Sequence, residues 1–297
     1  FISLIVLIGP FFFPYQIGLY ITLPYVASII LRRDEHNDGR QWRWFSEKFP
    51  AFRAYCAHLG FEISPIPEEL AQAEKQKDAQ FIVACFPHGV YSDFRILLES
   101  KLHEVFPNIV SKCRSLGASV IFLIPFVREL TLWTGCINAT RDVAEAALKR
   151  GRTIILIPGG QKEQLLTCCG EEAVYLSKRK GFIKLAMRHK VPVVPSYVFG
   201  SNDLFKTSHA FSNQQQWILK NFGISQPLAW GLWGSSCGFP VKTTVVMGKP
   251  QLFELQSDEP TNDEVDNAHK KFCDSLISLF EEHKESLGYG DRKLRIV

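Results

Sequence analysis

The chain has 297 residues, of which 46% are hydrophobic and 22% charged, and its formal net charge is +4. That length can bury a sizeable core, and the mixture is wrong for a disordered or coiled-coil protein. The mild positive charge suits an anionic membrane surface or a polyphosphate ligand; it lacks the clustered basic signal of a nucleic-acid binder, so no nucleic-acid partner is expected.

From Phe1 to Leu31 no residue is charged. As one straight helix this run would be roughly 45 Å long, against a hydrocarbon core of about 30 Å. Pro10, Pro14 and Pro24 interrupt it, and Gly9-Pro10 and Phe13-Pro14 bracket a bend. The reading is a membrane-embedded segment over 1–31, as a re-entrant hairpin or a kinked span. A helix pair buried in the core is the alternative. Arg32 and Arg33 follow at once and mark a cytosolic edge. Trp42 and Trp44 suit the headgroup zone of an interfacial linker. Residues 32–297 then form the catalytic domain. Because the chain opens on Phe1 rather than Met, further residues ahead of it are expected.

Within that domain, Trp42–Leu59 has a helical pattern, with Phe45, Phe49, Phe52 and Cys56 on one stripe. Short apolar runs follow at Gln80–Phe86, Ala118–Ile124, Thr153–Ile157, Val191–Tyr197 and Thr243–Met247. Each is bounded by Pro or Gly and reads as a buried strand. Helical patterns lie between them, at Asp93–Phe106 and at Asp142–Arg150. The second carries a capping-box-like Asp142/Glu145 pair and ends at Gly151. Thr261 and Glu264 cap a final helix whose stripe is Val265, Ala268, Phe272, Leu276, Leu279 and Leu287. The alternation predicts an α/β fold with a largely parallel sheet and flanking helices. Region Gln214–Phe239 fits least: its aromatics sit among Gly, Ser and Gln. It reads as an irregular insertion that faces the membrane, lines an acyl tunnel, or is a packed loop.

Three segments carry chemistry. In Phe86-Pro87-His88-Gly89, a strand runs into a histidine and a helix leaves it. Strand C-termini are where open α/β sheets bind ligands, and Gly89 allows a tight turn. Asp93 completes a His-x4-Asp spacing that suits a general base and its orienting acid. In Pro158-Gly159-Gly160-Gln161-Lys162-Glu163, glycines after a strand offer N–H groups to an oxyanion or phosphate, with Glu163 at the edge that holds His88. A plain turn with a solvated Glu is the alternative. Arg179 and Lys180, ahead of Gly181-Phe182, oppose the dipole of the helix they open, as does Arg141 before its own helix. A CoA phosphate would offset that cost; ordinary surface charge is the other reading.

Together these segments resemble the type 2 diacylglycerol acyltransferases and their monoacylglycerol and wax-ester relatives. Phe86-Pro87-His88-Gly89 matches the family's (His/Phe/Tyr)-Pro-His-Gly box. Arg128-Glu129, Gly135 and Arg141-Asp142 match its central segment, and Pro158-Gly159-Gly160 with Glu163 matches its Gly-Gly-x-x-Glu box. The run Arg179–Ala186, with Pro192, Pro195, Phe199-Gly200 and Asn202, is similar to its longest signature. The likeness extends from the N-terminal segment to about Val246.

The resemblance implies a glycerolipid-acyltransferase-like fold and an enzyme of the endoplasmic-reticulum membrane. The lipid droplet is a second location, and the active site faces the cytosol. It implies acyl-CoA as co-substrate, diacylglycerol or a similar lipid as acceptor, and no cofactor or metal. His88 is then the general base, with Asp93 and Glu163 as catalytic partners. Pro87, Gly89, Arg141, Gly159, Gly160, Arg179 and Lys180 bind substrate. A homo-oligomer is left open. One departure stands out. The family usually has no Asp at position 93, where Gly is common; His-x4-Asp marks the glycerol-phosphate and lysophosphatidate acyltransferases instead.

Other classes fit less well. For a lipid hydrolase, Cys85 is a conceivable nucleophile, but it would sit inside a strand. His58, His88, His103 and His209 have no zinc-ligand spacing. The 8 cysteines include no C-x-x-C pair, which argues for reduced thiols on the cytosolic side. A non-enzymatic droplet scaffold would tolerate loss of His88.

Overall fold

The structure is a computed structural model that describes residues 18–76, 78–255 and 259–297. It begins in a helical turn over Gly18–Thr22 that runs into α1 (Leu23–Leu31). Three short helices follow: α2 (Glu35–Asp38), α3 (Arg43–Lys48) and α4 (Pro50–His58). Next come β1 (Glu62–Ile63), α5 (Glu68–Glu74), β2 (Ile82–Phe86), α6 (Asp93–Val105), α7 (Pro107–Val110) and β3 (Cys113–Gly117). The middle of the chain holds α8 (Val127–Trp133), β4 (Cys136–Asn138), α9 (Arg141–Lys149), β5 (Thr153–Leu156), α10 (Gly160–Gln164), β6 (Glu172–Val174) and α11 (Gly181–His189). It closes with β7 (Val193–Phe199), β8 (Lys206–Ser208), α12 (Ser212–Phe222), β9 (Leu228–Trp230), β10 (Thr244–Met247), α13 (Asn262–Lys284) and β11 (Leu294–Ile296).

Seven strands form one sheet in the order β1-β10-β7-β2-β5-β3-β4. β7, β2, β5, β3 and β4 run parallel, and β10 joins β7 antiparallel. The expected α/β architecture with a largely parallel sheet is therefore present. Every residue of β2, β5, β7 and β10 is buried, as strands covered on both faces must be. Along β2, Ile82, Ala84 and Phe86 join one core, with Val143, Phe182 and Phe272 from α9, α11 and α13. Val83 and Cys85 join the other, with Leu59, Leu70, Phe94 and Leu98 from the α4–α6 side. The two-residue period of the strand thus divides the molecule into three layers. Thr261 and Glu264 close the expected capping box of α13.

Several sequence expectations are corrected. Ala118–Ile124 is not a strand: Ser119–Phe122 is a 3-10 turn and Leu123 is exposed, while β3 lies one segment earlier. Trp42–Leu59 is two helices, because Phe49 precedes Pro50 and takes an extended conformation that ends α3. α9 starts at Arg141 with Thr140 as N-cap and no side-chain cap bond, and Glu145 pairs with Arg141 at 2.8 Å instead of capping. Gly151, at φ +70°, follows the end of α9 as expected. Gln214–Phe239 is not irregular throughout, since α12 and β9 occupy much of it.

Most of the expected membrane segment, residues 1–17, lies outside the described residues. Among the described residues, no helix is long and apolar enough to cross a membrane. α1 has no buried residue and exposes Leu23, Ile30 and Leu31. Tyr25 ties it to the domain: its hydroxyl bonds the Glu129 carboxylate and accepts the Phe126 N–H at 2.9 Å, and its ring stacks on Phe126. Arg128, 2% exposed, donates to the Arg32 carbonyl at 2.8 Å and to Glu35 at 2.9 Å. Contacts therefore cross the boundary drawn at residue 31.

Candidate active site

β2 is the central strand, flanked by β5 and β7, and its C-terminal end leads into His88. The Phe86–Pro87 peptide is cis, and Pro87 is buried. Gly89 follows at φ +64°, where a Cβ would lie 2.5 Å from the Ser201 hydroxyl, so only glycine fits this turn. The half-buried His88 ring places Nδ1 3.0 Å from the Gly89 carbonyl. A carbonyl only accepts, so Nδ1 carries the proton of the neutral ring and Nε2 is its base. Burial pushes the imidazole below its ordinary range, with the Gly89 carbonyl opposing, which favours that neutral form.

Ser92 stands beside this ring. Its hydroxyl lies 3.0 Å from Nδ1 and 3.1 Å from Nε2, and donates to the His88 carbonyl at 3.1 Å. Its backbone is left-handed, at φ 53°, which costs a non-glycine residue roughly 1–2 kcal/mol. Asp93, the expected partner of His88, turns elsewhere: its carboxylate accepts the Tyr55 hydroxyl at 2.9 Å. Burial pushes the Asp93 carboxyl up to about 6 against the pull of that bond. The His-x4-Asp spacing is real, yet the group at the imidazole is Ser92.

Glu163 is 1% exposed and braces the site. One carboxylate oxygen accepts the His88 N–H at 2.6 Å and the other the Tyr175 N–H at 2.7 Å. Burial pushes its carboxyl up to about 8, opposed by the two N–H donors and by Arg179. The side chain folds back over Gly159, where a Cβ would meet it at 2.2 Å. Gly160, at φ +55°, donates its N–H to the Ile157 carbonyl at 3.2 Å, so that N–H is used within the turn. The structure therefore brings Pro87, His88, Gly89 and Glu163 together directly, with Gly159 beneath Glu163 and Gly160 beside Arg179.

The expected cations divide. Arg179 donates to the Gly159 carbonyl at 3.0 Å and lies over the Tyr175 ring at 5.2 Å, with its Nε buried and lacking a hydrogen-bond partner. Lys162 covers the same ring at 5.4 Å. Lys180 pairs with Asp266 at 2.7 Å on an exposed surface. Arg141 is exposed and paired with Glu145. It follows β4, three strands from β2, or roughly 14 Å at the usual strand spacing. Arg179 thus reaches the glycine turn, and Arg141 and Lys180 do not. Among the described residues, no three of His, Cys, Asp and Glu converge to hold a metal ion.

Sequence reasoning missed Ser92, Tyr55, Tyr175 and Gln164. Gln164 is buried and donates to the Val90 carbonyl and, at 2.9 Å, to Gln226. Ser92 had a signal, a serine just before a helix start, where hydroxyls commonly cap. Tyr55 and Tyr175 had none, because long-range packing brings them in.

The diacylglycerol acyltransferase family model matches residues 11–296. The chain is 31% identical to 2-acylglycerol O-acyltransferase 3 of Homo sapiens, over 73% of this chain and 68% of that one. It is 28% identical to acyl-CoA wax alcohol acyltransferase 2 of Mus musculus, over 87% and 77%. The same identity, over 85% and 70%, holds for diacylglycerol O-acyltransferase 2 of Bos taurus. The crystal structure of the 1-acyl-sn-glycerophosphate acyltransferase of Thermotoga maritima superposes with a TM-score of 0.50. It covers 88% of this chain and 97% of that one at 17% identity, a likeness of fold.

Proposed function

This chain belongs to the diacylglycerol acyltransferase family, and we propose that within it the protein esterifies diacylglycerol to triacylglycerol, drawing the fatty acyl group from acyl-CoA. The observation that carries the mechanism is the His88 ring at the end of the central strand, whose Nδ1–H donates to the Gly89 carbonyl and leaves Nε2, 3.1 Å from the Ser92 hydroxyl, as the base. The acceptor hydroxyl gives its proton to Nε2 as its oxygen attacks the thioester carbonyl. The carbon–sulfur bond then breaks, CoA leaves as thiolate, and the imidazolium returns the proton to it or to solvent. No covalent intermediate is needed. A positioned base of this kind contributes about 10²–10⁴-fold.

The other residues serve that base. Glu163 fixes the backbone on which the imidazole is mounted, and Ser92 sets the ring's orientation. Arg179 supplies positive charge beside the glycine turn, for the developing oxyanion or for a CoA phosphate. Lys162 adds to it. Acyl-CoA is a co-substrate, and the scheme assigns no step to a metal or cofactor. The site of action is the cytosolic face of the endoplasmic-reticulum membrane and the droplet surface. Lowered basicity at His88 predicts an acid limb of kcat/KM below the usual histidine range: activity falls as pH drops through that lowered value and is full above it.

The relatives differ by acceptor, so the test is an acceptor panel. Microsomes from cells lacking their own triacylglycerol synthesis receive labelled oleoyl-CoA with diacylglycerol, monoacylglycerol, fatty alcohol or lysophosphatidate. Preferred formation of triacylglycerol supports the proposal. Preference for another acceptor keeps the chemistry and overturns the acceptor.

A further inference from the structure

The lobe from Leu204 to Lys242 presents apolar side chains outward. α12 has no buried residue. Phe211, Trp217, Phe222, Leu228, Trp230 and Trp233 are all exposed, Trp233 at 91%. Phe222 falls four residues after Ile218, which falls seven after Phe211, so these three share one helical stripe with Trp217 beside it. The lobe is held together internally. Trp217 packs edge-on to Phe222 at 6.0 Å, Gln215 donates to the Gln226 carbonyl at 3.0 Å, and β8 pairs with β9. An outward aromatic face of this size on an ordered element marks an interaction surface.

Its charge says what kind. A chain with 30 acidic residues in 297 places none between Leu204 and Lys242. The cations there are Lys206, Lys220 and Lys242, of which Lys242 also pairs with Glu62 at 2.7 Å. Tryptophan and phenylalanine over uncharged Gln, Asn and Ser, with lysines and no carboxylate, suit the headgroup zone of an anionic lipid surface.

We propose that residues 204–242 are a docking lobe that seats its tryptophans and phenylalanines in an anionic lipid surface, separately from the N-terminal segment. The lobe is wired to the active site. Gln226 accepts from Gln164, which also donates to the Val90 carbonyl two residues after His88, and Tyr91 packs edge-on to Phe205 at 4.9 Å. Docking thereby holds the His88 loop against the surface that contains the lipid acceptor. This last step rests on the acyltransferase reading; the docking itself does not.

The test reconstitutes the full chain in phosphatidylcholine vesicles that carry brominated lipids, with or without phosphatidylserine, and reads tryptophan quenching. The chain has 6 tryptophans, and Trp217→Phe, Trp230→Phe and Trp233→Phe together remove the three of the lobe while keeping it apolar. The parent is quenched more strongly with phosphatidylserine, and the triple variant loses about half or more of the quenched intensity. Lys206→Gln with Lys220→Gln removes the phosphatidylserine dependence. A triple variant that keeps all of the parent's quenched intensity overturns the proposal. Acyl transfer read in the same vesicles separates the two claims: lobe quenching with no transfer to any acceptor retains the docking and removes the enzyme reading.

Discussion

The edge of the sheet around His88 and the lobe from Leu204 to Lys242 are built on opposite plans. At the sheet edge nearly every polar group has an internal partner: His88 N–H and Tyr175 N–H meet Glu163, Asp93 meets Tyr55, and Arg179 meets the Gly159 carbonyl. In the lobe Phe211, Trp217, Phe222, Trp230 and Trp233 are exposed, while Leu204 and Phe205 at its base are buried. Interiors tolerate little change because each group is matched and close-packed, whereas an outward apolar face is free to change without cost to the fold. One region therefore serves geometry and the other serves a surface.

Substitutions should separate the two, beginning with the core behind the site. Phe272 is fully buried against Phe86 and Phe182, and Phe272→Ala should cost about 3–5 kcal/mol, read as a lowered thermal midpoint in detergent. Glu163→Gln tests the brace through pH. The Glu163 carboxyl is raised from the ordinary value to about 8, so the folded state holds a proton that the unfolded chain has already released across that window. Its contribution to stability is full below the unfolded value of 4.5 and falls as pH rises toward about 8. The slope is at most about 1.4 kcal/mol per pH unit, and Glu163→Gln should flatten it in melts taken across that range.

Ser92→Gly sharpens the contrast within the site itself. It relieves the left-handed serine and should raise stability by about 1 kcal/mol, while the loss of the hydroxyl beside the imidazole lowers kcat about tenfold. Equal kcat in the two proteins would remove Ser92 from the mechanism. The smallest effect belongs to the lobe. Trp233→Ser should change stability by less than about 0.5 kcal/mol while raising the KM for acceptor presented in vesicles. A large loss of stability there would show that the lobe packs against the protein after all.

The strands β2, β5, β7 and β10 were legible because strands buried on both faces need uninterrupted apolar runs. β3 was not: its residues include Arg114, whose guanidinium leaves the sheet to meet the Asp38 carbonyl and Gln41. The more apolar run after it became a turn, Ser119–Phe122, that leaves Leu123 exposed at its end. At the site, strand ends placed His88 and Glu163 on one edge, and their meeting followed from sheet order. The choice between Ser92 and Asp93 depended on a left-handed backbone at Ser92 and on Tyr55, and local spacing encodes neither. Arg141 and Lys180 found carboxylates of their own, Glu145 and Asp266, which a dipole argument taken alone overlooks.

The most direct test of the central claim is acyl transfer from labelled oleoyl-CoA to diacylglycerol by parent, His88→Ala and His88→Gln proteins at matched membrane levels. The account predicts ester formation by the parent and a fall of at least about 10²-fold in both variants. Parent-level transfer by His88→Ala would contradict it.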